Sequence, residues 1–325
     1  MPRTIFGYVL RYTGGHQLGL ALLSTVVFLL SAAPLELQRR IINDLTEKGH
    51  FRAIVWLAAA YAAVALVDQS LKLLLNMYRG WVAESSVRAL RRAVFDTELG
   101  GAMASPPDAG VEVAMVLEEA EPIGGFTGLA LSEPVLQGGI LVSVLGYMLF
   151  LQPYLALLGI AFFIPQVVFV PFLQQAINRR AQARILVKRE LSGEIVDNHE
   201  SPGGQTQAHR IQRIFKFNMG IYWLKYVMNL LMNMMHYLAV AVALCVGGWF
   251  VLQGRIEIGT VVAIVGGLGK LNDPWGDLVN WFRELSVVRV KYRLFAEAAD
   301  WLTGRLSPFA EPDLPAARRS AQAVP

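Results

Sequence analysis

Long apolar runs alternate with polar stretches along this chain. Six of the runs reach the roughly 20 residues that a helix needs to cross the hydrocarbon core of a bilayer: 18–37, 53–75, 129–151, 154–173, 227–252 and 258–279. The gaps between them are uneven, because two long polar-rich connectors, 76–128 and 174–226, alternate with three very short ones. The pattern predicts an all-α membrane protein, with six transmembrane helices and two extended regions outside the bilayer. The first run is too long for the apolar region of a secretory signal and lacks a small-residue cleavage site, so no processed leader is expected.

Structureless connectors of that length are improbable in a compact protein, and the residues in them read as helical. Over 77–99 the apolar Val82, Ala89, Val94 and Phe95 recur among Glu84, Arg88, Arg91, Arg92 and Asp96 without a proline, so the second span is expected to continue as an amphipathic helix. Gly100, Gly101, Pro106 and Pro107 break it, and Pro122 with Gly124 and Gly125 turns the chain back. The second connector repeats the plan: a charged helix over 174–198, a break at Pro202, Gly203 and Gly204, and a return arm through Arg210 to Lys225. Two cytoplasmic helical hairpins are the expectation, each arm projecting roughly 30 Å for about 20 residues.

Composition supports membrane residence, since 54% of residues are hydrophobic and only 17% charged, far from the balance of a soluble domain. Lys and Arg gather on the cytoplasmic side of membrane proteins. With the N-terminus inside, only Arg39, Arg40, Lys48, Arg52 and Arg255 fall outside, while the remainder, from Arg3 to Arg319, fall in the termini and long connectors, apart from Lys72 and Lys270 within the second and sixth runs. That asymmetry places both termini in the cytoplasm, and it accounts for the formal charge of +4 without a nucleic-acid partner. The single cysteine, Cys245, lies inside the fifth run, which leaves no disulfide framework or thiolate metal cluster to consider.

Polar residues inside spans are costly and therefore mark candidate function. Asn229, Asn233 and His236 recur at helical spacing on the fifth run among Met228, Met232, Met234 and Met235, whose side chains suit an adaptable surface. Asp273, Asp277, Asn280 and Glu284 form an acidic stripe beside Pro274 on the sixth. Together the stripes suit an inward cavity for cationic or amphipathic cargo. Asparagines also simply join neighbouring helices, a lone histidine also packs as a bonded core residue, and Asp277 and Glu284 equally suit a solvated extension of the sixth helix. Asp68 and Lys72, four residues apart, are expected to neutralise each other.

Other chemistries find little support. His199-Glu200 has no second histidine at the spacing of a zinc protease helix, and no Gly-x-Ser-x-Gly elbow is present. The Gly269-Lys270 pair fails as a phosphate-binding loop at both ends, because Ile264 stands where the first glycine is needed and Leu271 where a hydroxyl must hold magnesium. No ATPase motif lies in the chain, so enzyme activity is left open, at most that of the membrane subunit of an ATP-driven translocase.

The approach to the sixth run (Gly254, Ile256, Gly259, Ala263) and its exit (Pro274, Leu278, Phe282, Arg283, Glu284, Arg293, Phe295) resemble the six-helix transmembrane domain of ABC exporters. Pro34 with Ile41-Ile42-Asn43-Asp44 in the first run is similar as well, as is the Glu200, Ser201, Gly204, Ala208 tract, although Gln205 and Gln207 depart from it. The resemblance covers nearly the whole chain: a cytoplasmic elbow helix over 1–16, the transmembrane domain over 17–302 and a cytoplasmic tail over 303–325 expected to be disordered.

The resemblance implies a homodimer or heterodimer of such domains in the lipid of the cytoplasmic (inner or plasma) membrane. Its cavity would open alternately to the two sides, driven by a separate ATPase subunit that binds ATP and magnesium; no cofactor is expected in this chain. The hairpin tips would couple to that ATPase through Asp108, Glu112 and Glu118 in the first and Glu200, Ser201 and Gly204 in the second. Glu112, Glu118, Glu119 and Glu121 make the first tip unusually acidic for the family. A proton-driven peptide transporter of the same fold is the alternative, and a non-transporting accessory or sensor is a third reading.

Overall fold

A computed structural model describes residues 2, 4–47, 50–99, 120–197 and 204–302. The regular structure among these residues is helical: α1 (Ile5–Leu30), α2 (Ala33–Thr46), α3 (Phe51–Leu99), α4 (Ala120–Leu129), α5 (Ser132–Leu151), α6 (Pro153–Asp197), α7 (Gly204–Leu252), α8 (Ile258–Gly269) and α9 (Asn272–Leu302). Five helical stretches are long and apolar enough to cross a membrane: Ile5–Thr46, Phe51–Arg92, Ala120–Leu151, Pro153–Arg184 and Ala208–Leu252. The run expected as a sixth span is not among them. A turn at Lys270 and Leu271 divides it between the 12-residue α8 and the start of α9, and Lys270, Asn272 and Asp273 dilute its apolar character there.

Prolines mark where helices start. Pro34 opens α2, Pro122 α4, Pro134 α5, Pro153 α6 and Pro274 α9, each within the first three residues. First-turn N–H groups have no acceptor inside their own helix, so proline sacrifices nothing there, and its fixed φ favours the start. Pro165 and Pro171 are different, lying inside α6. The end of α7 is set by Gly254, whose φ of 68° is left-handed and suits a residue without Cβ. That turn sends the Gly254 N–H to the Val251 carbonyl and the Arg255 N–H to the Phe250 carbonyl, both at 2.9 Å. The Arg255 guanidinium then lies 5.7 Å from the Phe250 ring centroid, closing the motif.

The 49 residues of α3, 45 of α6 and 49 of α7 exceed what a membrane requires. A helix of such length runs for about 70 Å, against about 30 Å of hydrocarbon. The polar continuation expected beyond the second span is therefore helical as far as Leu99, and that beyond the fourth as far as Asp197. The first hairpin tip, within 100–119, and residues 198–203 of the second lie outside the described residues, as does the 303–325 tail, whereas Gly204 of the second tip already belongs to α7. At the other end of the chain α1 runs unbroken through residue 16.

The chain divides into two compact units. One comprises Met1–Phe28, Val67–Gly139 and Asn280–Pro325. Its core joins Ile5, Tyr8 and Val9 of α1 with Leu90 of α3, Ile123 and Phe126 of α4, and α9. From α9 come Trp281, Leu285, Val288, Tyr292 and Phe295, spaced so that they share one helical face. Polar side chains brace this unit near the α4–α5 turn. The Gln17 amide donates to the Thr127 carbonyl at 2.7 Å, one of the carbonyls that the end of α4 leaves without a helical donor. Arg79 forms an ion pair with Glu133 at 2.7 Å and donates to the Ser132 hydroxyl at 2.8 Å.

The second unit comprises Leu29–Leu66 and Ile140–Val279. Its core draws Leu35 from α2, Val144 and Met148 from α5, Leu155 and Ala156 from α6, Ala239 and Ala243 from α7, and Ile264 and Leu268 from α8. Small residues on α7 let the neighbouring helices approach closely, as interfaces within membranes require.

Candidate functional site

Asn229, Asn233, His236, Asp273 and Asp277, expected to line a cavity, fall in the second unit, whereas Asn280 and Glu284 of the acidic stripe fall in the first. Helix α8 ends because Lys270 caps it: its backbone N–H reaches the Gly266 and Gly267 carbonyls at 3.2 and 3.0 Å. The Lys270 side chain then crosses to the α1–α2 turn and donates to the Ser31 carbonyl at 3.0 Å. That carbonyl is available because Pro34 has no N–H to offer it and the Leu35 N–H bonds instead to the Ala32 carbonyl. Thus Lys270 ties together the turns of two broken helices. The same placement rules out a phosphate cradle at Gly269-Lys270, since the pair closes a helix C-terminus, where the backbone presents carbonyls to an anion rather than amides.

A second polar cluster joins α2 to the start of α8. The Glu36 carboxylate accepts from Arg39 at 2.9 and 3.0 Å, from Arg40 at 2.6 Å and from the Tyr147 hydroxyl at 2.6 Å. Arg39 also reaches Glu257 at 3.2 Å, and the Asn43 amide donates to the same carboxylate. Glu257 precedes α8 but does not cap it with its own side chain. Asn43 does so from α2, its Oδ1 accepting the Gly259 N–H at 2.8 Å. A Cβ at residue 259 would overlap Asn43 Oδ1 and the Arg39 carbonyl, so the glycine is what lets the two helices close.

Of the five residues read as cavity-lining, Asn229, Asn233, Asp273 and Asp277 are exposed on the chain and His236 is half-buried. His236 lines a narrow crevice with Gly159, Phe162, Phe163, Gln166, Leu268 and Asn272. The structure therefore brings the α7 stripe against the α8–α9 turn at His236, one residue short of Asp273. Asn233 and Asn229 lie one and two turns earlier along α7. The crevice itself encloses about 10 Å³, space for a single water and none for cargo. Gln166 Oε1 and Trp275 Nε1 are buried near it without a hydrogen-bond partner among the described residues, and the Trp275 and Phe163 rings meet edge to face at 5.9 Å.

Lys72 and Asp68 pair at 2.7 Å, as their spacing predicts. Gly204 is the first residue of α7. Asp108, Glu112, Glu118, Glu200 and Ser201 lie outside the described residues. Sequence reasoning passed over Lys270 and Gln166 as functional positions. Each is a single polar residue in an apolar run, and a search for repeated polar spacing does not register one residue. Arg79, counted among the loop cations, is 8% exposed and bound to Glu133.

Several long apolar helices, continued by polar segments and joined by buried ionic contacts, define a multi-pass helical membrane protein. A family profile for the ABC transporter transmembrane region matches residues 17–196, more than half of the chain, and the chain belongs to that family. No curated protein is found to match it.

Proposed function

We propose that this chain is the permease subunit of an ABC-type transporter, moving cargo across the cytoplasmic membrane by alternating access. The observation that carries this reading is the family match over 17–196, which begins within α1, ends in the last turn of α6 and includes the polar arms of α3 and α6. In this reading the α8–α9 pair completes a six-span bundle, and the arms of α3, α6 and α7 form two cytoplasmic hairpins. No phosphate-binding loop occurs among the 325 residues, so ATP and magnesium are bound by an ATPase outside them. The hairpin tips, through Asp108, Glu112, Glu118, Glu200, Ser201 and Gly204, dock on that ATPase. Two copies, or this chain and a sister subunit, enclose the cargo cavity, with Asn229, Asn233, His236, Asp273 and Asp277 facing it. The acidic pair on α9 favours cationic or amphipathic cargo.

An affinity pull-down from native membranes tests the reading. A nucleotide-binding protein is expected to accompany the wild-type chain and to be lost from a variant carrying Glu112→Ala, Glu118→Ala and Glu200→Ala. Recovery of no such protein in several mild detergents would overturn it. Cargo flux in vesicles that stops with an uncoupler and ignores ATP would point instead to the proton-driven alternative.

A further inference from the structure

Helices α6 and α7 carry an unusual charge distribution. From residue 153 to 189 and again from 204 to 252 there is no Asp or Glu, while Arg179, Arg180, Arg184 and Arg213 are among the cations present. Within these two stretches an anion meets positive charge with no intervening carboxylate, and the first acidic residue of α6, Glu190, comes about three turns after Arg179. The first of these cations, Arg179, follows the end of the apolar run at residue 173 within two helical turns.

A groove of about 440 Å³ opens at that boundary, lined by Phe172, Gln175, Ala176, Arg179 and Arg180. Their spacing places all five on one face of α6. Phe172 forms its apolar end and the two guanidinium groups its polar end. Arg180 is held in position by α7, donating one N–H to the Gly220 carbonyl at 2.7 Å, and Arg184 is held one turn on by Asn218 Oδ1 at 3.0 Å. The exposed rings of Tyr222, Trp223 and Tyr226 follow directly on α7. Aromatic side chains of this kind settle at the level of lipid headgroups.

We propose that this groove binds an anionic phospholipid, with Arg179 and Arg180 on the headgroup phosphate and Phe172 against the upper acyl chain. The volume lies within the range of small-molecule sites. A fork of N–H donors suits phosphate better than a point charge does. The basic residues sit where the apolar surface stops, the height at which a phospholipid presents its charge. The assignment is independent of the cargo and of the ATPase.

The full chain, purified from mixed micelles containing equal phosphatidylglycerol and phosphatidylcholine, tests this by mass spectrometry of retained lipid. The wild type is expected to enrich phosphatidylglycerol. In Arg179→Gln/Arg180→Gln that enrichment should fall by roughly tenfold or more, two interfacial cations having been removed. Arg180→Lys should keep part of it, and Arg255→Gln, a cation in another place, all of it. An elution profile matching wild type, together with the partial retention by Arg180→Lys, separates loss of the site from loss of the fold. Equal retention of the two lipids by the wild type would overturn the proposal, as would enrichment that survives the double substitution. Complete displacement by inorganic phosphate would also overturn it, showing a free-anion site with no part for the lipid tails.

Discussion

Removing Arg79 leaves the Glu133 carboxylate with the Gln137 amide but without its cation in a nearly closed environment, since the Arg79 and Glu133 side chains are only 9% and 13% exposed. Breaking one side of such a pair costs about 3–5 kcal/mol, whereas replacing both partners with apolar residues costs far less. Arg79→Met is therefore expected to lower the thermal midpoint of the detergent-solubilised protein sharply, and Arg79→Met/Glu133→Leu to recover most of the loss. Equal midpoints for the single and double variants would show that the pair is not acting as a buried unit. At residue 259 the difficulty is space: Gly259→Ala pushes a methyl group into Asn43 and the Arg39 carbonyl, an overpacking cost of about 1–3 kcal/mol. Gly254→Ala meets nothing within 4 Å but is held at φ 68°, a backbone cost of about 1–2 kcal/mol. Both should destabilise, and Gly259→Ala alone should also loosen α2 from α8, read as faster amide exchange at residues 257–261.

Among the elements, the turns inside apolar runs are the part of the fold that hydropathy does not display. An average over a window cannot see a two-residue turn at Ser31-Ala32, Ala130-Leu131 or Lys270-Leu271, because two residues weigh little within an apolar run of about 20. Pro34, Pro134 and Pro274 stand just beyond these turns and are their trace in the sequence. The long helices were legible for the converse reason: α3 carries an unbroken apolar stretch followed by periodic charge, with no proline before its end at Leu99. What joins the turns was not legible, since Lys270 and Ser31 are 239 positions apart. Lys270→Met removes a charged hydrogen bond of about 1.5–3 kcal/mol. Amide exchange should then quicken at residues 268–272 and at 31–36 together, with Lys270→Arg restoring both. Quickening at one turn alone would mean that the ammonium does not connect them.

For the whole molecule, the direction of the chain through the membrane rests on the unequal distribution of Lys and Arg, which is a statement about sequence that labelling can check. Residues 213 and 255 lie near the two ends of α7, separated by about 60 Å of helix and thus by more than the bilayer. In a Cys245→Ser background, an impermeant maleimide applied to intact cells should label Arg255→Cys and leave Arg213→Cys untouched until the membrane is opened. The reverse pattern would invert the topology. The polar stripes of α7 and α9 were readable from their spacing, but which solvent or neighbour they face is set by tertiary packing, and no periodicity along one helix encodes that. The link between Lys270 and Ser31 bears finally on how such a protein is made. A lysine entering hydrocarbon alone costs about 2.5–3.5 kcal/mol at the bilayer centre, and the stretch that carries it is not among the five that qualify unaided. In a six-span arrangement the carbonyl that receives it lies 239 positions earlier in the chain, at the α1–α2 turn. Biogenesis is then ordered, with the earlier segment serving as the template on which the later one is accepted, so that disrupting the α1–α2 turn would strand α8 outside the lipid.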